Sequence, residues 1–181
     1  SKFKSVFLKE GIHVMVSSEK SIKKCMDKLE FSKNKDLSII PSSLSIDDLE
    51  TDRFVVKERF GAGSESIGIN LDYSAALTHA TSLREPIFQP FISGRELSVD
   101  AYIASNQSIK GIIIRERVLI VGGESQVTKT IIDKDLEKEF KKIIDSLDLS
   151  GHVILQAIID KDCKVNVIEC NPRFGGASSL A

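Results

Sequence analysis

The sequence predicts an α+β fold in two lobes, each built on a mostly antiparallel sheet with helices against it. Three observations lead there. Leu97, Val99, Ala101 and Ile103 alternate with polar neighbours, the pattern of a half-buried strand. Over residues 133–147 the period changes from two to 3.6, and Leu136, Phe140, Ile143, Ile144 and Leu147 share one helical face behind Asp133. The order along the chain is a helix, strands and a helix, then a larger group of strands interrupted by one helix, so the two element types are segregated and not regularly alternated.

The elements follow in order. Ile12-His13-Val14-Met15-Val16 is a short strand-like run ending at Ser17-Ser18. Ser17 or Ser18 caps a helix over residues 19–30, in which Ile22, Cys25, Met26 and Leu29 form the apolar stripe, leaving Lys20, Lys23, Lys24 and Lys28 outside it. Ile39-Ile40-Pro41 lies in a polar stretch, and Asp47-Asp48-Leu49 opens a short helix. Residues 54–57 form a compact strand that runs into a glycine loop over 58–69, and a helix is expected over 72–83. Residues 86–92 form a strand with Pro90 near its end, and Ser93-Gly94 turns the chain into the alternating strand. Residues 109–114 and 118–121 are expected as two strands separated by Arg115-Glu116-Arg117. Gly122-Gly123 then turns into a strand over 127–132, and after the second helix 152–159 and 164–168 form a hairpin around residues 160–163.

Composition excludes several function classes. At 181 residues, 41% hydrophobic and 28% charged, the chain has apolar material for one domain or two small lobes. A net charge of -1 from 25 basic and 26 acidic residues gives no electrostatic case for nucleic acid or an anionic membrane, so any anion site must be local. No apolar run approaches the roughly 20 residues of a membrane span, and Lys2, Lys4, Lys9 and Glu10 occupy the place of a signal peptide's apolar region; a cytoplasmic location is expected. Cys25, Cys163 and Cys170 contain no CxxC pair and are read as reduced. His13, His79 and His152 are scattered and receive no role.

The chemistry concentrates in residues 165–176, VNVIECNPRFGG, where an apolar strand ends in a carboxylate, an amide and a guanidinium. Glu169 and Asn171 project to one side at strand spacing, Pro172 stops the ladder, and Arg173 supplies a planar fork. Oxygen ligands followed by such a fork suggest magnesium and a polyphosphate; the alternative is a strand end whose polar residues cap a turn. Three other segments contribute. Gly61, Gly63, Ser64 and Gly68 form a loop whose backbone N–H groups can approach phosphate oxygens, the alternative being a hairpin turn. Lys57 stands just before it with an ammonium, and no Gly-Lys-Ser or Gly-Lys-Thr follows, so this is not a P-loop. In the connection after residue 88, Gln89, Phe91 and Ile92 suit an aromatic base, and Glu96 suits two vicinal hydroxyls. Gln156, on the first strand of the last hairpin, can lie beside Glu169 and complete an oxygen cluster around a cation.

In this order and spacing the motifs VVKERFGAGSESIGI, QPFISGRELSVD, GGESQVT, VILQAII and VIECNPRFGG resemble the ATP-grasp superfamily, most closely its carbamoyl-phosphate synthase large-subunit-like branch, over residues 18–181. The resemblance implies an ATP cleft between two lobes: residues 18–92 as the smaller lobe with a glycine flap, and 93–181 as the larger lobe with the metal strand, truncated at its C-terminus. Residues 1–17 are then a remnant of a preceding α/β domain. It implies Lys57 and Lys20 on ATP phosphates, with Lys23 competing for the latter place, and Gly61, Gly63, Ser64 and Gly68 in the flap. Gln89, Phe91 and Ile92 would hold adenine, Glu96 the ribose, and Glu169, Asn171 and Gln156 the magnesium, with manganese as a substitute. Arg173, Arg115 and Arg117 would approach the transferred phosphoryl group or the substrate. Gln89 and Gln156 depart from the acidic residues that many members carry at these places.

The implied activity is that of a ligase that activates a carboxylate or bicarbonate as an acyl phosphate for attack by an amine or ammonia. Such phosphoryl transfer needs charge neutralisation and alignment more than a side-chain base, in keeping with the lack of a Ser-His-Asp or Cys-His arrangement in the motifs. The second reading is an ATP-binding module without independent catalysis, and a third, a hydroxyl kinase, requires a carboxylate base that the motifs do not supply.

Overall fold

The computed structural model describes residues 3–34, 37–61 and 66–178. The chain runs α1 (Lys4–Lys9), α2 (Glu19–Met26), α3 (Lys28–Ser32), a 3-10 turn (Ile46–Asp48), β1 (Phe54–Glu58), β2 (Gly68–Leu71), α4 (Tyr73–Ala80), β3 (Pro86–Pro90), β4 (Gly94–Ile103), β5 (Ile109–Val121), β6 (Glu124–Ile131), α5 (Lys134–Asp145), β7 (Gly151–Asp160) and β8 (Val165–Asn171). The strands make two antiparallel sheets, β2-β1-β3 and β6-β5-β4-β7-β8, in the expected α+β arrangement. No helix among the described residues is long and apolar enough to cross a membrane.

Each sheet has its own core. The alternating side chains of β4, β7 and β8, Leu97, Val99, Val153, Leu155, Val165 and Val167 among them, meet Phe140, Ile143 and Ile144 of α5. Asp133 caps α5 by accepting from Asp135 N and Leu136 N, fixing the start at which this apolar stripe faces the sheet. Burying each such side chain contributes about 1.5–3 kcal/mol relative to exposure. The smaller core joins Phe54 and Val56 of β1 to Phe88 of β3, Ala76 of α4 and Ile46. Although the sequence reading groups residues 18–92 with the smaller lobe, Cys25 of α2 and Phe31 of α3 are buried in the larger core.

Three local expectations are corrected. The run at 12–16 forms no strand; it is held by single bonds, such as that from Ser150 Oγ to Val16 O (3.0 Å). The helix expected over 19–30 breaks at Asp27, whose extended backbone and Oδ1 cap α3 by accepting from Leu29 N and Glu30 N. Asp27 also receives Arg59 Nε (2.8 Å), so a bond from the smaller lobe competes with helix continuation at this position. Finally, Arg115-Glu116-Arg117 does not divide two strands: β5 is continuous, because β4 on one side and β6 on the other pair through it.

One irregularity positions the site. In β8, Glu169 pairs with Gln156 of β7 and Val167 with Ala157, leaving Ile168 as an extra residue between them. Strict alternation would send Val165, Val167 and Glu169 to the same face. The bulge reverses the phase, so Val165, Val167 and Cys170 enter the core while Ile168, Glu169 and Asn171 face the opposite side.

Candidate functional site

On that opposite face the register aligns a polar row across four strands: Arg115 on β5, Ser98 on β4, Gln156 on β7 and Glu169 on β8. The row forms one wall of a cleft of about 340 Å³. Asn171 and Arg173 continue that wall, and Lys57, Gly61 and Ile67 from the smaller sheet's strand and loop, with Lys28 from α3, line it as well. The structure thus brings together Lys57, Gly61, Arg115, Arg117, Gln156, Glu169, Asn171 and Arg173 from separate segments.

Electrostatics of the cleft centre on two lysines. Lys57 is 4% exposed on β1, and burial brings its ammonium from the ordinary 10.5 down to about 8; Glu169 opposes this fall and Lys28 adds to it. Lys28 is held below its usual value by burial, offset by Glu169, Glu58 and Asp27, and it donates to Gly61 O at 2.8 Å. Gly61 has φ +114°, which a side chain rarely allows, so the loop leaves β1 with its carbonyl turned toward this cation. Asn171 Nδ2 donates to Glu169 Oε1 (2.8 Å), keeping the two candidate metal ligands adjacent. Among the described residues no three His, Cys, Asp or Glu side chains converge on a metal position. A single carboxylate with amide oxygens is a weak hard-cation site, better suited to a metal that arrives with phosphate oxygens.

The arginines divide. Arg117 is fully engaged, donating to Ser125 Oγ (2.8 Å), Glu96 Oε2 (3.0 Å) and Gly123 O (2.6 Å), which makes it a brace between β4, β5 and the β5–β6 turn. Arg115 is 1% exposed and donates Nε and Nη2 to Asp100 Oδ2, yet its Nη1 is buried without a partner among the described residues. A buried guanidinium nitrogen left this way costs about 1–3 kcal/mol, and in a cleft wall it is a place for an anion's oxygen. Arg173 is exposed and its Nη1 donates to Phe174 O (3.0 Å).

Other expected residues lie elsewhere. Lys20 is exposed near the start of α2 and does not line the cleft. Gly68 is buried in β2, where a Cβ would come within 2.5 Å of Leu71 Cδ1 and 2.8 Å of His79 Cδ2; close packing under α4 explains this glycine. Gln89 is buried and its Nε2 donates to Ser42 Oγ (2.8 Å), and Phe91 N donates to Arg53 O (2.8 Å). Ile92 N has no hydrogen-bond partner among the described residues. Glu96 is occupied by Arg117 as above and, like Gln89, Phe91 and Ile92, lies outside the cleft lining. Gly63 and Ser64 lie outside the described residues.

Sequence reasoning missed Lys28 and Asp100. Lys28 reads as the solvated side of one long helix unless Asp27 is recognised as a second cap, a signal available in the preference of Asp for N-caps over helix interiors. Asp100 sits in an alternating strand where Ser98, Asp100 and Tyr102 share one face, and nothing local separates it from Ser98.

A family model described as an ATP-grasp domain matches residues 25–177. Among solved structures, the chain is similar to the biotin carboxylase domain of Hydrogenobacter thermophilus 2-oxoglutarate carboxylase, a structure in complex with MgADP, ADP and bicarbonate. The TM-score is 0.73 at 14% identity, covering 97% of this chain and 46% of that one. It is also similar to the D-alanine-D-alanine ligase of Coxiella burnetii, with TM-score 0.69 and 16% identity over 94% of this chain and 54% of that one. The L-amino acid ligase of Bacillus licheniformis gives 0.74 and 16% over 97% and 47%. The chain therefore spans about half the length of these structures. No curated protein matches it significantly by sequence.

Proposed function

The chain belongs to the ATP-grasp family, and from that premise we propose that it carries the nucleotide site of a magnesium-dependent ligase that activates a carboxylate or bicarbonate for attack by an amine or ammonia. The observation that carries the proposal is the pairing of the two buried lysines, Lys57 and Lys28, with the polar row Arg115, Ser98, Gln156 and Glu169 in the same cleft. Cations with a depressed affinity for protons, a carboxylate flanked by amides, and an unpartnered guanidinium nitrogen suit a metal-bound polyphosphate better than any neutral ligand.

Bound ATP supplies a phosphoryl group that turns the carboxylate into an acyl phosphate, whose phosphate then leaves as the amine attacks. Lys57 and Lys28 neutralise phosphate oxygens from the smaller-lobe side. Glu169 presents its carboxylate to magnesium, with the Asn171 and Gln156 amide oxygens beside it. Arg115 Nη1 and Arg173 meet charge that develops on the transferred group. At the other end, Ile92 N–H, without a partner among the described residues, is a main-chain donor for adenine, with Phe91 and Gln89 forming its surroundings, and Glu96 reaches the ribose by sharing or releasing Arg117. Lys20 has no contact role in this arrangement, and Arg117 acts as a brace. The carbamoyl-phosphate synthase-like branch is favoured by the motif VIECNPRFGG; the family alone does not distinguish it from other ligases. Residues 1–17 are assigned to a preceding domain, residues 18–92 to the smaller lobe and residues 93–181 to the larger lobe.

The test is a nucleotide-release screen on the full-length protein: MgATP with panels of carboxylates, amino acids and bicarbonate, each with and without ammonia, followed by ADP and phosphate assays. Carboxylate-dependent release of ADP is expected. Tight MgATP binding with no ADP release under any pair favours the alternative, a binding module without independent catalysis.

A further inference from the structure

Asp100 is the most heavily used buried acid of the larger sheet and has no place in the site as described above. It is 4% exposed on β4. Its Oδ2 accepts both Nε and Nη2 of Arg115. Its Oδ1 accepts from Ser178 Oγ (2.7 Å) and from His152 Nε2 (3.1 Å). Because a carboxylate here is acceptor only, His152 carries its proton on Nε2. Ser178 Oγ in turn accepts from Gly175 N (3.0 Å), and Phe174 stacks on the His152 ring with centroids 4.1 Å apart at 19°.

The cluster is not a nucleophilic triad. A Ser-His-Asp relay joins the acid to one ring nitrogen and the hydroxyl to the other; here Asp100 and Ser178 meet the same nitrogen, His152 Nε2. What the geometry does is immobilise. Two of the three guanidinium nitrogens of Arg115 are fixed against one oxygen, which leaves Nη1 unpartnered. The other oxygen anchors the segment that follows β8 and carries Arg173.

We propose that Asp100 is a positioning residue: it aims Arg115 Nη1 at the phosphoryl group in flight and, through Ser178, couples that aim to the seating of residues 173–178 on the sheet. The inference rests on the ligase reading, since it presumes a phosphate in this cleft. A residue acting this way strengthens contacts to a group moving between donor and acceptor more than contacts to a resting triphosphate.

The experiment compares two nucleotide probes by calorimetric titration of the full-length protein, MgAMP-PNP for the resting state and MgADP with aluminium fluoride for the transferring group. Asp100→Asn is expected to weaken the aluminium fluoride complex about 10- to 100-fold, the effect of one charged hydrogen bond, and to leave MgAMP-PNP within about threefold. In an Arg115→Met background Asp100→Asn has no further effect, because its action passes through Arg115. That double variant also removes both buried charges together and so keeps the test open if Asp100→Asn alone fails to fold. Ser178→Ala, which spares the ion pair, gives a smaller loss confined to the aluminium fluoride complex. Equal weakening of both probes by Asp100→Asn, additivity with Arg115→Met, or an unchanged Ser178→Ala overturns the proposal. Absence of binding of either probe to the wild-type protein removes the nucleotide reading itself.

Discussion

Replacing Lys57 by Met is expected to make the free protein more stable and its nucleotide complex weaker. Burial brings the Lys57 ammonium from 10.5 to about 8. At about 1.36 kcal/mol per tenfold change in proton affinity, holding it charged at pH 7 costs about 3 kcal/mol. Methionine keeps an unbranched chain of similar volume, and such swaps change packing by less than about 1.5 kcal/mol, so a net gain of about 2 kcal/mol is expected at pH 7. The gain has a defined pH dependence. Between about 8 and 10.5 the unfolded lysine binds a proton that the folded one has released, so wild-type stability rises with pH across that window and the advantage of Lys57→Met shrinks toward pH 10. Urea unfolding followed by circular dichroism at pH 7 and pH 9.5 measures both quantities. Titration with MgAMP-PNP should show affinity lower by about 10- to 100-fold, the worth of one charge-assisted bond. A variant less stable than wild type at pH 7, or an advantage that grows with pH, refutes the buried-charge argument; unchanged affinity refutes the phosphate role.

Nucleotide binding should take up a proton when measured near pH 8.5, because phosphate restores the charge of Lys57, and affinity should fall above about pH 8 by at most tenfold per pH step. Calorimetry in buffers of different ionisation enthalpy reads this directly, and uptake that persists in Lys57→Met assigns it to another group. Glu169→Ala should remove the magnesium dependence of nucleotide binding while leaving a weak metal-free component held by the lysines, a contrast visible by titration with and without EDTA. Gly68→Ala should lower stability by about 1–3 kcal/mol through the clash with Leu71 and His79, with nucleotide affinity unchanged; a loss of affinity larger than the loss of stability would return Gly68 to the phosphate loop. Deleting Ile168 should be tolerated, since it removes only the bulge's extra residue and strict alternation then keeps Val167 and Cys170 in the core with Glu169 on the cleft face, to be seen as retained cooperative unfolding and retained magnesium-dependent nucleotide binding.

How far the site was legible varies residue by residue. The α5 stripe and the alternation of β4 are set by periods that survive any tertiary context, because one face of each has a sheet or a helix to meet. Lys57 and Glu169 were legible from motif chemistry, and the structure places them in one cleft. Arg115 and Arg117 were indistinguishable in sequence, two residues apart on one strand face. Only their partners separate them: Arg117 meets three acceptors, while Asp100 leaves Arg115 one nitrogen free. Gly68 and Gln89 carried the residue types of the phosphate loop and the base; only the structure shows that Gly68 packs against Leu71 and His79 and that Gln89 Nε2 donates to Ser42 Oγ.

By itself the amino-acid sequence determined the fold class, the two sheets and the residue types a phosphate site requires, since propensity, period and chemical function are local properties. Tertiary structure decided which of those residues face one another. The helix break at Asp27, which carries Lys28 into the cleft, is settled by Arg59, 32 positions further along the chain. The bulge at Ile168, which turns Glu169 and Asn171 away from the core, is settled by pairing with β7. Both depend on partners brought together only when the chain folds, and a register change of one residue is enough to exchange the core face of a strand for its functional one.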